Sequence, residues 1–227
     1  MQVIAHIEND MIQKFGLPRQ SGIVDELTSN IIFEPQFRNM DALKGLDGFS
    51  HIWIIWGFDI DREEGEWSPM VRPPRLGGNT RMGVFATRSP YRPNPIGLSC
   101  VKLLNISETS RGPILTVAGA DLKSGTKIYD IKPYLPYVDS HPEAIGGFSE
   151  EFVGSELPVE FPDSLLSRIP EEKRKAAVKL LAQDPRPSYH NDPNRIYGMA
   201  FANLNIRFRV IDDVIYVVDV SSSTSGS

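Results

Sequence analysis

The sequence predicts a mainly β protein in which a small β-barrel domain is followed by a small α+β domain. Up to residue 137, short runs of β-branched and aromatic residues recur at close spacing between prolines and glycines, a pattern typical of a barrel. After residue 145, one helical pattern and two alternating strands follow. We therefore expect the barrel domain at residues 1–144, the α+β domain at residues 145–220 and a disordered, serine-rich tail at residues 221–227.

Six stretches of the first domain carry strand patterns. The strongest, residues 50–58, is rich in isoleucine and tryptophan, so we expect a central strand that is buried on both faces. Residues 40–46 predict one or two helical turns that end at a glycine. The predicted strands are 3–7, 31–33, 50–58, 97–105, 114–120 and 126–131.

The second domain is predicted to contain a helix and a hairpin. Residues 171–183 begin with glutamates and continue with lysines, the order that complements a helix dipole. Residues 199–210 and 214–220 alternate on either side of Asp212 and Asp213, so we expect two strands joined by a tight turn.

The composition indicates a soluble, cytoplasmic protein without a metal centre. The longest apolar block, residues 52–58, is far too short to span a bilayer, and no signal-peptide pattern occurs. The single cysteine, Cys100, excludes an internal disulfide and a multi-cysteine zinc site, and the four histidines lack ligand spacing. A glycine-rich nucleotide fingerprint is also missing, which counts against a doubly wound domain.

The chain is organised around a proline-rich stretch at residues 81–97. Three prolines, an asparagine and a glycine occur within eight residues. Since proline fixes φ and lacks a backbone donor, residues 89–95 cannot form a helix or a central strand. Such a loop is stiff, and it would hold Arg88, Arg92 and Asn94 still, as a binding site requires.

The charge pattern around this loop predicts an anion-binding surface. Residues 67–107 contain five arginines and one lysine but no Asp or Glu, although the whole chain has a formal charge of −5. Arginine's planar fork suits phosphate and carboxylate groups. The alternative is a solvated arginine-rich surface, or arginines that pair with acids elsewhere in the fold.

Several motifs make the sequence recognisable. Residues 72–79 (RPPRLGGN), 83–90 (GVFATRSP), 92–97 (RPNPIG) and 184–189 (DPRPSY) are long and occur in order. With shorter matches at 18–20 and 121–134, they resemble the TsaA-like (YaeB or TrmO) family from about residue 3 to 220. The resemblance implies an S-adenosylmethionine-dependent methyltransferase that acts as a homodimer. Its implied substrate is tRNA carrying N6-threonylcarbamoyladenosine on the 3′ side of the anticodon, and its product is the N6-methylated base.

The resemblance also implies which residues line the cofactor pocket. We expect the turn after residue 121 to offer backbone amides to the adenine, and an arginine to bind the cofactor carboxylate. At residues 59–60 the chain departs from the His-Gln pair of the family, which leaves side-chain contacts there open. The implied cofactor residues are Pro18, Arg19, Gln20, Asp59, Ile60, Arg88, Leu98, Leu122, Lys123, Ser124 and Gly125.

Methyl transfer places two further demands on the chain. The accepting nitrogen is conjugated with the purine and a carbamoyl group and is therefore a weak nucleophile, so we expect a proton acceptor among Asp130, Asp184 and Tyr189. The competing role of Asp184 is to end the helix, and that of Asp130 is to be a satisfied acid in a turn. The threonyl carboxylate and the anticodon-loop phosphates need cations, and splayed bases need aromatic partners such as Tyr91. The expected substrate-binding residues are Arg72, Arg75, Arg81, Arg92, Asn94 and Arg186.

Two other classes of function stay open at this point. The barrel could serve as a binding module for S-adenosylmethionine or RNA without catalysis, or as a methyltransferase for another small substrate. A steep salt dependence of RNA binding would separate the tRNA enzyme from the last of these, since only a polyanion produces it.

Overall fold

A closed six-stranded barrel forms the first domain. The structure is a computed structural model that describes residues 1–60, 67–187 and 192–223, without the side chain of Arg75. The barrel strands follow the order β1-β2-β7-β6-β3-β8, and every neighbouring pair is antiparallel. A two-stranded arm of β4 and β5 leaves the barrel between β3 and β6. The strands are β1 (Ala5–Glu8), β2 (Thr28–Phe33), β3 (His51–Gly57), β4 (Met70–Val71), β5 (Met82–Gly83), β6 (Ile96–Thr109), β7 (Gly112–Ala118) and β8 (Lys127–Pro133).

Strand β3 is buried on one face only, so the prediction of burial on both faces is wrong. Ile52 and Ile54 point into the barrel and are fully buried, whereas Trp53 and Ile55 on the outer face are half-buried. A small barrel has a single interior, so one face of each strand looks outward. The indole N–H of Trp53 uses this position to donate to Asp139 at 3.0 Å.

The second domain is a four-stranded sheet packed against a helix. The sheet order is β10-β11-β12-β9, in which β9 pairs with β12 in parallel. The predicted helix is confirmed as α3, and the short turn Met40–Leu43 of the first domain matches the predicted helical turns. The remaining strands and the α-helices are α1 (Pro136–Asp139), β9 (Val159–Glu160), α2 (Asp163–Leu166), α3 (Glu171–Ala182), β10 (Tyr197–Phe201), β11 (Leu204–Ile211) and β12 (Val214–Ser222).

The predicted strand at residues 199–210 is in fact a hairpin. Ala202 and Asn203 form its turn with φ of 54° and 61°, the left-handed region that alanine rarely adopts. No glycine announces the turn, so the sequence pattern continues across it. The second turn, at Asp212 and Asp213, is confirmed with φ of 47° and 57°, and β12 continues to Ser222.

The two domains share one hydrophobic core. Met11, Val24 and Leu27, from the long connection between β1 and β2, are buried together with Leu181 of α3 and Phe208 of β11. A separate core fills the barrel. The connection between β1 and β2 therefore belongs to the first domain in sequence and to both domains in packing. In the described ranges, no helix is long and apolar enough to cross a bilayer.

Candidate active site

The proline-rich loop is held by its own polar groups. As predicted, residues 89–95 form neither helix nor strand. The hydroxyl of Thr87 donates to the carbonyl of Val84 at 2.9 Å and accepts from the amide of Ser89 at 3.2 Å. Arg92 donates to the carbonyl of Thr87 at 3.0 Å, and its guanidinium lies 6.0 Å from the ring centre of Phe85. Arg92, expected to bind substrate, thus braces the loop on which Arg88 stands.

A cavity of about 880 Å³ opens between this loop and the β4–β5 arm. Arg72, Arg81 and Arg88 lie in its wall, and its described lining contains no Asp or Glu. Met70 and Tyr91 add apolar and aromatic surface to the wall. This combination suits an organic anion with a flat apolar part, so the predicted anion-binding surface lines a concave site.

The structure brings two of the expected cofactor residues into contact and separates a third. Arg88 donates a hydrogen bond to the side-chain oxygen of Gln20, and both lie in the wall of the cavity. Arg19 points the other way and donates to the carbonyl of Asp184 at 3.0 Å. Pro18 is buried. The segment 18–20 therefore connects the cavity with the Asp184 motif of the second domain.

The turn after residue 121 is pinned to the end of β1. The amides of Ser124 and Gly125 donate to the carbonyls of Met11 and Ile7 at 2.8 and 2.7 Å, so the expectation that these two amides are offered to a ligand is wrong. Leu122 is buried in the barrel core. The turn is fixed because it crosses the end of β1 on its way from β7 to β8, and β1 lies beside β8 in the barrel.

Asp59 lies beside this turn. Its carboxylate is 3.5 Å from the ammonium of Lys123, and its carbonyl accepts from Lys14. The departure from the family at Asp59 and Ile60 therefore sits next to the other expected cofactor residues, where Asp59 contributes an ion pair.

A buried polar chain that sequence reasoning missed joins β3 and β6 to Asp121. A Cβ on Gly97 would fall 2.2 Å from the ring of Trp56, so glycine allows that indole to lie across β6. Its N–H donates to the hydroxyl of Ser99 at 2.9 Å, and Ser99 donates to Asp121 at 2.6 Å. Ser99 is fully buried, whereas the neighbouring Leu98 points outward and is 55% exposed. The signal was a hydroxyl at an inward position of a predicted strand.

Burial raises the pKa of Asp121 above its ordinary value, and hydrogen bonds from Ser99 and nearby amides, together with the charge of Arg88, offset only part of this effect. The carboxylate is thus held in a site where ionisation is disfavoured. Perturbed carboxyl groups of this kind concentrate at functional sites.

The acids expected to accept a proton have other partners. Asp184 holds the guanidinium of Arg186 through two hydrogen bonds of 2.8 and 2.9 Å. Asp130 lies on the outer face of β8, 46% exposed and 2.9 Å from the ammonium of Lys132. The cross-strand neighbour of Asp130 on β3 is Ile55, and the cross-strand neighbour of Ile55 on β6 is Leu98. The third candidate, Tyr189, lies outside the described residues.

The remaining expected substrate residues are spread over the rim. Arg72 and Arg81 are exposed in the cavity wall, and Asn94 is exposed on the proline-rich loop. Arg186 is mostly buried against Asp184, which raises the pKa of Arg186 further. Within the described part of the chain, no group of three or more His, Cys, Asp or Glu residues could hold a metal ion.

Comparison with known proteins identifies similar sequences and structures. The model of the tRNA-methyltransferase O N-terminal domain matches residues 6–140, and that of the TrmO C-terminal domain matches residues 154–223. The tRNA (adenine(37)-N6)-methyltransferase of Escherichia coli (strain K12) is 40% identical over 217 residues, 92% of both chains. A Pseudomonas aeruginosa protein, named as an S-adenosylmethionine-dependent methyltransferase, is 35% identical over 227 residues, 96% of both. The crystal structure of TrmO from P. aeruginosa superposes with a TM-score of 0.78 at 30% identity, covering 98% of both chains.

Proposed function

Because the chain belongs to the tRNA-methyltransferase O family, we propose that it methylates N6 of N6-threonylcarbamoyladenosine, on the 3′ side of the tRNA anticodon. The chain is an S-adenosylmethionine-dependent tRNA methyltransferase. The finer assignment concerns the modified base. The observation that supports it is the cavity with three arginines and no acid in its described wall.

The arginines match the two kinds of anion that this substrate carries. The threonyl group ends in a carboxylate, and the anticodon loop adds a phosphate at each nucleotide. We assign Arg72 and Arg81, which are exposed in the cavity wall, to these anions, since a guanidinium fork binds either group through paired hydrogen bonds. Tyr91 offers an exposed ring next to them on which a splayed base can stack.

The residues present also fit the cofactor. S-adenosylmethionine supplies an electrophilic methyl group on a positively charged sulfur. A cavity of about 880 Å³ is large enough for a ligand of nucleoside size, as such sites measure roughly 300–1,000 Å³. Arg88 and Gln20 provide donors for its carboxylate, and the turn at residues 122–125 closes the neighbouring end of the barrel. Holding both reactants at near-attack distance is the main contribution of the chain to the rate.

The chain must also take the proton that the accepting nitrogen loses as the new N–C bond forms. Asp184 is engaged twice by Arg186, so we assign it to orienting that arginine towards the tRNA. Asp130 is half-exposed; one of its carboxylate oxygens accepts from the amide of Ile131 and the other lies beside the ammonium of Lys132, each at 2.9 Å. Each oxygen keeps a further lone pair for a substrate or a water molecule. We therefore propose Asp130 or Tyr189 as the proton acceptor.

The proposal is tested with purified protein, S-adenosylmethionine and tRNA from cells that lack this gene, followed by nucleoside mass spectrometry. We expect a gain of one methyl group on threonylcarbamoyladenosine. A matched tRNA from cells that cannot add the threonylcarbamoyl group should gain none. Equal methylation of both tRNAs would contradict the proposed base while preserving tRNA methylation, and methylation of neither would favour another substrate.

We also propose that the enzyme acts in the cytoplasm, because its proposed substrate is tRNA, and that it acts as a homodimer. Large apolar side chains are exposed on the outer face of the barrel and on the connection to the second domain, including Leu98, Tyr137 and Ile145, the last 88% exposed. A second copy of the chain would cover them. Light scattering coupled to size exclusion should give twice the 25.4 kDa mass of the chain, and Ile145→Asp should shift the mass towards that of one chain.

A further inference from the structure

We propose that Asp121 is a positioning residue for the cofactor, because its carboxylate fastens together the separate chain segments that form the cofactor site. This inference rests on the proposed cofactor site. It assigns a role to a residue that lies beside the expected ligands and was not counted among them.

Hydrogen bonds of Asp121 reach two segments besides its own, and a charge acts on it from a third. Ser99 of β6 donates to its carboxylate at 2.6 Å. The backbone amide of Ser21 also acts on the carboxylate, and Arg88 contributes an opposite charge. The Ser21 hydroxyl in turn accepts from the amide of Cys100 at 3.2 Å, which ties its segment to β6.

Each of these partners is, or directly adjoins, an expected cofactor residue. Ser21 follows Gln20, Ser99 follows Leu98, and Asp121 itself precedes Leu122. Arg88 is an expected ligand itself and also bonds Gln20. A change at Asp121 would therefore alter the relative position of several ligands at once, without itself touching the cofactor.

The site holds this carboxylate at a cost to folding. The pKa of Asp121 in the folded protein is above its ordinary value because the group is buried. The folded state therefore binds the proton of Asp121 more tightly than the unfolded state does. The stability that this protonated group contributes is complete below the ordinary pKa and is lost as the pH rises through the folded pKa. An amide of the same shape would avoid the cost of burying a carboxylate, so an aspartate at this position indicates a functional demand.

The test compares Asp121→Asn with a matched control, Asp139→Asn. Asp139 accepts directly from a tryptophan, Trp53, on the outside of the barrel, and hydrogen bonds from Leu135 and Trp53 lower its pKa. Binding of S-adenosylhomocysteine is measured by calorimetry without tRNA, and thermal unfolding is measured without ligand. For D121N we expect Kd to rise about tenfold, the loss of one charge-assisted hydrogen bond, while the melting temperature is unchanged or higher. For D139N we expect the reverse, a lower melting temperature with an unchanged Kd.

The pH dependence of Kd distinguishes a positioning role from a merely structural role, which would not produce one. Among the described residues, Arg88 is the charged group that acts on Asp121, and the groups of Ser99, Ser21 and Trp56 around it are neutral. Wild-type Kd should therefore rise as the pH falls through the raised pKa, whereas D121N should be flat. Ser99→Ala removes a donor to the ionised form, so it should move the midpoint of this pH dependence upward.

The outcomes separate the two proposals. If the wild-type protein binds S-adenosylhomocysteine and D121N has the same Kd and the same pH profile, the positioning role alone is overturned. Failure of the folded wild-type protein to bind S-adenosylhomocysteine would overturn the proposed cofactor site, and the positioning role with it. If D121N does not fold, S99A decides: an unmoved pH midpoint overturns the inference.

Discussion

The cavity end of the barrel and the junction between the domains both hold carboxylates away from water, but they treat the charge in opposite ways. At the junction, burial disfavours ionisation of Glu26, yet hydrogen bonds from Lys179 and Lys175 outweigh it, and the pKa of Glu26 lies below its ordinary value. At the cavity end, burial wins and the pKa of Asp121 is raised. The nearest donor to Asp121 is the neutral Ser99.

This difference separates charges that serve stability from charges that serve a ligand. The junction places lysines of α3 against acids of the first domain: Lys173 lies 2.7 Å from Asp10, and Lys175 and Lys179 both lie beside Glu26. The cavity wall instead contains three arginines with no acid in its described lining. Changes at the cavity end should therefore affect function without stability, and changes at the junction should do the opposite.

The largest effect is expected for Arg88→Ala. Loss of a charge-assisted hydrogen bond in the cavity should lower the rate of methyl transfer about 100-fold, equivalent to roughly 2–3 kcal/mol. Because Arg88 is exposed, the unfolding midpoint should stay near the wild-type value. Single-turnover nucleoside analysis measures the rate of methyl transfer, and urea unfolding measures the midpoint. Arg88→Lys, which keeps the charge but not the fork, should retain an intermediate rate; full activity in R88A would remove the cavity from the active site.

Gly16→Ala should produce the largest loss of stability. Gly16 has φ of +89°, and a Cβ there would lie 2.6 Å from Cγ of the buried Met199. Left-handed strain and overpacking together should lower the free energy of unfolding by about 2–3 kcal/mol. Gly45→Ala is the matched control, with φ of +86° and open space around the added atom, and should cost only about 1 kcal/mol. Equal losses in both variants would show that Met199 yields to the added atom.

The double variant Arg72→Ala, Arg81→Ala should weaken tRNA binding and leave stability unchanged. The steepness of the dependence of log K on log salt should decrease by about 1.4, since each of two phosphate contacts to a single-stranded loop contributes roughly 0.7. Filter binding at several salt concentrations measures it. Arg111→Ala is the control, because Arg111 pairs with Glu8 at 2.6 Å beyond the far end of β6. An unchanged slope in the double variant would place the tRNA on another face.

Glu26→Gln should have the smallest effect, on stability alone. Glu26 is 18% exposed and its lysine partners more so, so the loss should be about 1 kcal/mol at pH 7. Because the folded pKa is below the ordinary 4.5, this contribution is present above that value and is lost as the pH falls through the folded pKa. Urea unfolding of both proteins from pH 7 to pH 3 should show that the difference in their free energies of unfolding disappears as the pH falls. A difference that stays constant would point to lost packing instead of lost charge.

Local chemistry made many elements predictable, and its exceptions account for the misses. Helix α3 and the strands of the barrel follow from runs bounded by proline and glycine. The hairpin turn at Ala202 and Asn203 was missed because these residues adopt positive φ without a glycine. Strand β3 was read as buried on both faces because apolar content does not reveal on which side a barrel closes.

The amino-acid sequence by itself determined the stiff loop at residues 89–95, the surplus of arginine around it and the motifs that place the chain in its family. These are properties of neighbouring residues, so they can be read along the chain. Only the tertiary structure decided which polar groups meet: Gln20 with Arg88, Ser99 with Asp121, and Arg19 with Asp184. The physical reason is that these contacts join residues up to 165 positions apart, which approach each other only once the barrel has closed and the second domain has packed against it.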